Sequence, residues 1–180
     1  MRARAILDAD FIITVFNLNS GKDLFCDIFS RIGYLPVVHD YVFTYETISC
    51  KRVLEECKTD GCLLVLSPCF ANHDEEMLYE IEFRALYKEV NFSILPERHS
   101  IWNPIKEGSM GEIHSVLLAS KEKIPVFLSN DGSVKRILVP AFVSRQFGSS
   151  LIVMNMKEVL KELRGKGKQL SPAIERSLVQ

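Results

Sequence analysis

The chain has no apolar run approaching the ~18–20 residues that a membrane span requires, and it has no Cys-x-x-Cys pair. One tryptophan, nine glycines and seven prolines in 180 residues exclude collagen-like and low-complexity classes. Cys26, Cys50, Cys57, Cys62 and Cys69 are odd in number, and His39, His73, His99 and His114 are scattered rather than paired at zinc-ligand spacing. This pattern favours five reduced thiols in a cytoplasmic protein over a disulfide framework or a structural zinc. The opening residues, 1–8, reach an acid before a signal-peptide core can form, so secretion is not expected. Net charge is nearly absent too, at −1.

Hydrophobic residues at 47% and charged residues at 25% are ordinary for a soluble globular domain of this length, which buries a core without staples. The small net charge conceals a division. Residues 1–131 carry 13 Lys/Arg against 20 Asp/Glu, a balance of −7, and residues 132–180 carry 9 against 3, a balance of +6. An acidic body is joined to a basic C-terminal quarter.

Ala3–Leu7 reads as a buried strand that delivers its chain into Asp8-Ala9-Asp10. Leu24, Phe25, Ile28, Phe29 and Ile32 recur at helical spacing over 22–32, with Ser20 and Asp23 as a capping pair and Gly33 as the stop. Two short helices follow within 39–58, then an apolar strand at 62–66. Residues 74–90 predict an amphipathic helix with acids in its first turn and Leu78, Ile81 and Ala85 as the inner stripe. An irregular stretch over 91–106 precedes a helix over 109–121, a strand at 125–128 and a short helix at 133–138. A loop over 140–149, a strand at 151–154 and a helix over 157–163 complete the pattern, with room for one more short helix at the end. Strands alternating with helices imply a three-layer α/β fold with a central, mainly parallel sheet flanked by helices. A single domain over 1–164, with an insertion or lid at 66–107, and a basic tail over 165–180 are the expected organisation.

In such sheets ligands sit at the carboxyl ends of the strands, which draws attention to Asp8 and to Asn130-Asp131. Two carboxylates brought within ~4–5 Å repel by ~3–4 kcal/mol at an effective dielectric of ~20. A fold that gathers several must protonate one or hold a cation, and carboxylates without Cys or His select Mg²⁺ or Mn²⁺. Each acid also has a plainer role. Ser109-Met-Gly-Glu112 matches a capping box, Asp131 is placed to cap the helix after it, and Glu46 alone is a solvated helix residue.

Ala5-Ile-Leu-Asp8-Ala-Asp-Phe-Ile-Ile resembles the opening of the PIN-domain (VapC-like) nucleases, in which an apolar strand delivers the first metal-binding aspartate. Val38-His-Asp-Tyr-Val-Phe-Thr-Tyr-Glu46 is similar to the segment bringing their second acid. The longest match runs from Gly111-Glu112 through Ser129-Asn130-Asp131, and 151–163 resembles the closing strand and helix. The resemblance covers most of 5–163. It implies an endoribonuclease that hydrolyses phosphodiester bonds with Mg²⁺ or Mn²⁺ held by Asp8, Glu46, Glu112 and Asp131. Ser129 and Asn130 would orient these ligands, and Lys135 and Arg136 would meet the RNA backbone. It also implies a homodimer and an antitoxin-like protein partner, and it leaves room for a non-catalytic PIN-like interaction module. Asp8-x-Asp10 after a strand resembles haloacid-dehalogenase-type phosphatases as well, with Asp8 as nucleophile.

Overall fold

Successive residues of a strand point to opposite faces of its sheet, and β1 (Ala3–Leu7) uses both. Ala5 and Leu7 enter one hydrophobic core and Ile6 enters another. All three are fully buried, as expected for a strand covered on both sides. The computed structural model describes residues 2–18, 21–105, 109–145 and 150–179. Its sheet adds β2 (Tyr34–His39), β3 (Leu64–Leu66), β4 (Val126–Leu128) and β5 (Ile152–Met154), in the order β3-β2-β1-β4-β5 with every pairing parallel.

Parallel strands demand long crossovers, and the helices supply them on both faces. α1 (Ala9–Phe16), α2 (Gly21–Ile32), α3 (Lys51–Thr59), α7 (Met156–Gly165) and α8 (Pro172–Leu178) enclose the core that contains Leu7, Val38 and Leu128. α4 (His73–Asn91), α5 (Met110–Lys121) and α6 (Val139–Arg145) cover the core that contains Ile6, Val37 and Phe127. The fold is therefore the three-layer α/β arrangement with a central parallel sheet that the alternation of strands and helices implies. Among the described residues no helix is long and apolar enough to cross a membrane.

Several local expectations change. β2 is absent from the sequence pattern because Pro36 interrupts it, and proline argues against a strand interior. It is tolerated because pairing with β3 begins only at Val37, one residue later. Residues 140–145 form most of α6 rather than a loop, while 146–149 lie outside the described residues, as does Ser20. The stretch over 66–105, where an insertion or lid is expected, packs into the domain, and 106–107 lie outside the described residues. Its Tyr79, Phe83, Leu86, Leu95 and Ile101 are buried parts of the second core. In α4 the buried residues are Tyr79, Phe83, Leu86 and Tyr87, whereas Leu78 and Ile81 remain 56% and 59% exposed. The helix carries two apolar rows, and the aromatic one buries more surface.

The C-terminal residues are likewise part of the fold. Asn155 opens α7 with a reciprocal capping box to Glu158, and Ser171 caps α8 with Pro172 at its first position. Leu170 and Leu178 then pack into the first core, and Arg164 of α7 pairs with Glu175 of α8. Basic residues around Gly165 suggest a free tail, yet the two leucines anchor the segment. Leu178→Ala is expected to lower stability by about 2–4 kcal/mol, the usual range for removing a buried leucine side chain. Denaturant unfolding measures it, and a change under 0.5 kcal/mol would show that α8 is only loosely attached.

Candidate metal centre

β1 lies between β2 and β4, so the chain builds the sheet outward from β1 in one direction and later returns to its other side. That reversal creates a crevice at the carboxyl ends of β1 and β4, where ligands of open parallel sheets gather. Asp8 follows β1, and Ser129-Asn130-Asp131 follows β4. Backbone pairing from the Asp8 N–H to the Leu128 carbonyl, at 3.0 Å, joins the two ends.

Asp8 is 2% exposed. Its Oδ1 accepts from the Ala9 N–H at 2.8 Å as the cap of α1, and its Oδ2 accepts from the Ser129 hydroxyl at 2.9 Å. The same hydroxyl accepts from the Asp131 N–H at 3.0 Å. One serine therefore ties both acids into the crevice. Asp131 also performs the capping role open to it, accepting from the backbone N–H and hydroxyl of Ser133 at 2.7 and 2.8 Å. Asn130 is a structural tie: its backbone N–H donates to Asp10 at 3.2 Å, its side-chain Nδ2–H donates to the Thr14 hydroxyl, and its side-chain Oδ1 accepts from the Met156 N–H.

Glu46 ends a π-helical turn, Val42–Glu46, that follows β2. Its carboxylate crosses to α5, where Oε1 accepts from the Gly111 N–H at 3.0 Å. Ser109 makes no side-chain capping bond in α5. The expected capping box is thus replaced by an acid from 65 residues away, which leaves Glu112 uncommitted to Ser109. A Cβ at 111 would stand 2.0 Å from Glu46 Oε2, so a larger residue there displaces the Glu46 carboxylate from this bond.

The electrostatics join these acids into one group. Burial first, then Glu112 and Asp10, hold the Asp8 carboxyl well above its usual range. Burial raises Asp10 as well, against opposing bonds from the backbone of Asn130 and Phe11. Glu46 is raised by burial despite the bond from Gly111. Glu112 is pushed up to about 8, by burial first and then by Glu46, Asp131 and Asp10 against the pull of its own backbone N–H. None of Asp8, Asp10, Glu46, Glu112 or Asp131 takes part in an ion pair among the described residues. Asp10 extends the sequence-derived set. Asp-x-Asp after the strand is the signal, present in the sequence as part of the phosphatase resemblance.

Unshielded carboxylates and a serine hydroxyl are the donor chemistry of Mg²⁺ and Mn²⁺. Among the described residues no three His, Cys, Asp or Glu side chains converge on one ion position. The group fits a partly hydrated cation, reached by some carboxylates through water, better than a fully enclosed one. His114, beside Glu112 in sequence, belongs elsewhere. Its Nε2–H donates to the Ile101 carbonyl at 2.9 Å, its Nδ1 accepts from the Tyr79 hydroxyl at 2.9 Å, and burial lowers its pKa to about 3.

The basic residues are distributed differently from the sequence expectation. Lys135 is paired with Glu158 at 2.6 Å, and the Arg136 side chain folds back to the Gly132 carbonyl at 3.1 Å. A cleft of about 370 Å³ instead leads from Asn130 and Thr14 past Asn155 to Lys157. Lys157 and Val179 also line a second cleft of about 510 Å³, together with Arg164 and Arg176. Comparisons with family models, with curated proteins and with solved structures find no match.

Two outcomes test the cluster. Glu112 has an ordinary pKa of 4.5 and a folded value of about 8, so the folded state binds the extra proton and stability falls as pH rises through that window. In buffer with chelator, Tm should therefore decline from about pH 5 to about pH 8, and Glu112→Gln should flatten that decline. Mn²⁺ at ~100 times its dissociation constant adds about 2.7 kcal/mol, a Tm rise of roughly 5–10 °C, and the rise should grow with pH. Gly111→Ala, which displaces Glu46, should reduce it. A Tm indifferent to Mn²⁺ throughout would exclude a metal centre.

Proposed function

We propose that the protein is a PIN-like endoribonuclease that uses Mg²⁺ or Mn²⁺ at the acidic crevice. The observation that carries this reading is the placement of Asp8, Asp10 and Asp131 at the ends of β1 and β4, where strand order reverses, tied together by Ser129 and Asn130 and without an ion-pair partner among the described residues. A bound divalent ion supplies a lower pKa for water and positive charge beside a phosphate. Ser129 holds Asp8 and the Asp131 backbone in fixed relation, which limits reorganisation during reaction. Glu112, raised by burial and the neighbouring acids, would lose its proton as a cation enters the crevice and join the acids that hold it. Glu46 braces the start of α5, so Glu112 enters the crevice from an anchored turn.

The polar cleft through Thr14, Asn130 and Asn155 gives a phosphate backbone a path away from the acids, and Lys157, in no ion pair among the described residues, gives it positive charge farther on. This route adds Lys157 of α7 to the RNA contacts expected of Lys135 and Arg136. Binding there would be largely sequence-independent and salt-sensitive. The phosphatase alternative is less well supported, since no lysine is paired with these acids among the described residues.

Asp8→Asn and Glu112→Gln are each expected to lower Mn²⁺-dependent cleavage of a single-stranded RNA by about 100-fold or more, while circular dichroism remains unchanged. Lys157→Glu should instead raise KM several-fold with little effect on kcat, because it lies outside the reacting group. Full cleavage by both acid variants would sink the nuclease reading. Mn²⁺ binding without cleavage of any RNA would favour the non-catalytic interaction module, with an antitoxin-like protein as its partner.

A further inference from the structure

Three of the five thiols meet at one place, beside the core that α2 and α3 enclose. α3 ends in two nested backbone bonds. The Cys62 N–H donates to the Cys57 carbonyl at 2.9 Å, and the Gly61 N–H donates to the Lys58 carbonyl at 3.2 Å. Gly61 supplies the left-handed residue that this closure needs, at φ 71°. The closure folds the chain back on the helix and brings its two flanking side chains, usually apolar, into contact. Here they are Cys57 and Cys62. Cys26 of α2 completes the group, within hydrogen-bonding range of both. Lys22, one turn before Cys26, fastens α2 over the same turn by pairing with Asp60 at 2.7 Å and Glu56 at 3.6 Å. The other two thiols have different surroundings: Cys50 is buried and donates to the Thr47 carbonyl at 3.4 Å, and Cys69 is exposed.

Exposure selects a pair within the group. Cys57 is fully buried, whereas Cys26 and Cys62 are half-buried and reach solvent. We propose that Cys26 and Cys62 are a redox modification site, closed to a disulfide by hydrogen peroxide and reopened by dithiol reductants. The Cys62 sulfur attacks one peroxide oxygen, the O–O bond breaks, and Cys62 becomes a sulfenic acid while its thiol proton leaves in the released water. The Cys26 sulfur then attacks the Cys62 sulfur and displaces the hydroxyl, which takes the Cys26 proton and departs as a second water. One peroxide is reduced to two waters as two thiols become one disulfide. Burial first, and then the hydrogen bond to Cys62, push the Cys26 thiol up to about 12. Cys26 therefore keeps its proton beside the Cys62 sulfur and can deliver it to the departing oxygen. A thiol held this high reacts slowly. The site suits a lasting cross-link between α2 and the turn that leads into β3, rather than rapid peroxide signalling.

The full chain carrying Cys69→Ser, which removes the exposed thiol, provides the test. After treatment with hydrogen peroxide, thiol titration in denaturant should fall from four to two. Non-reducing peptide mapping should find Cys26 joined to Cys62. Closing a loop between residues 36 positions apart should raise Tm by roughly 5–10 °C, and dithiothreitol should reverse the rise. Cys57→Ala should keep the link, and Cys62→Ser should abolish it. Cys26→Ser should strand Cys62 as a sulfenic acid that dimedone labels. Four thiols surviving peroxide would overturn the proposal, and so would a link from Cys57 to either neighbour. Dimedone labelling of Cys26 in preference to Cys62 would overturn the order of attack.

Discussion

The Asp8 carboxylate is withdrawn from water, and its position depends on one hydroxyl group. Ser129 donates to Asp8 and accepts from the Asp131 backbone, using both capacities of a single oxygen. A buried carboxylate is costly unless its oxygens are satisfied or it takes up a proton. The sheet supplies the first remedy by ending β1 and β4 side by side, with Leu7 in register with Leu128. The surrounding acids then oppose full ionisation, which is why Asp8 and Glu112 are both raised. Local capping and long-range charge thus compete at the same atoms, and the balance between them is sensitive to any cation that enters.

Both helical layers serve this crevice, though unequally. On one side α1 begins at Asp8 itself, and α7 is tied to Asn130 through the Met156 N–H. On the other side α5 carries Glu112, and its first turn depends on Glu46 from the segment after β2. α4 contributes no acid to the crevice. It packs its aromatic row behind α5 and fixes that helix against the sheet. The outer face of α4 leaves Met77, Leu78 and Ile81 exposed.

Much of this was legible because the informative residues are close in sequence to the strands that place them. An apolar run followed by an acid identifies Asp8, and the same pattern identifies Ser129-Asn130-Asp131. The alternation of strands and helices was sufficient for the parallel α/β class, although Pro36 hid β2 at the centre of the pattern. What escaped was set by tertiary contact. The Glu46 bond to Gly111 spans 65 residues, whereas Ser109-x-x-Glu112 offered a plausible local cap that the fold does not form. α4 misled for a different reason. Both of its rows have helical periodicity, so period alone could not decide between Leu78–Ile81 and Tyr79–Phe83. Burial of the larger aromatic rings decided it.

The placement of β1 also governs when the crevice comes into being. The hydroxyl partner of Asp8 lies 121 positions later in the chain. β1 is completed on one side by β2 after a short stretch of chain, but its other side waits for β4. Contacts of such separation form late, because the entropy of closing the loop precedes any reward. A nascent or prematurely terminated chain lacking β4 would hold Asp8 and Asp10 without Ser129, Asn130 or Asp131. The topology thereby makes the assembled acids conditional on β4: they come together only in chains that carry it.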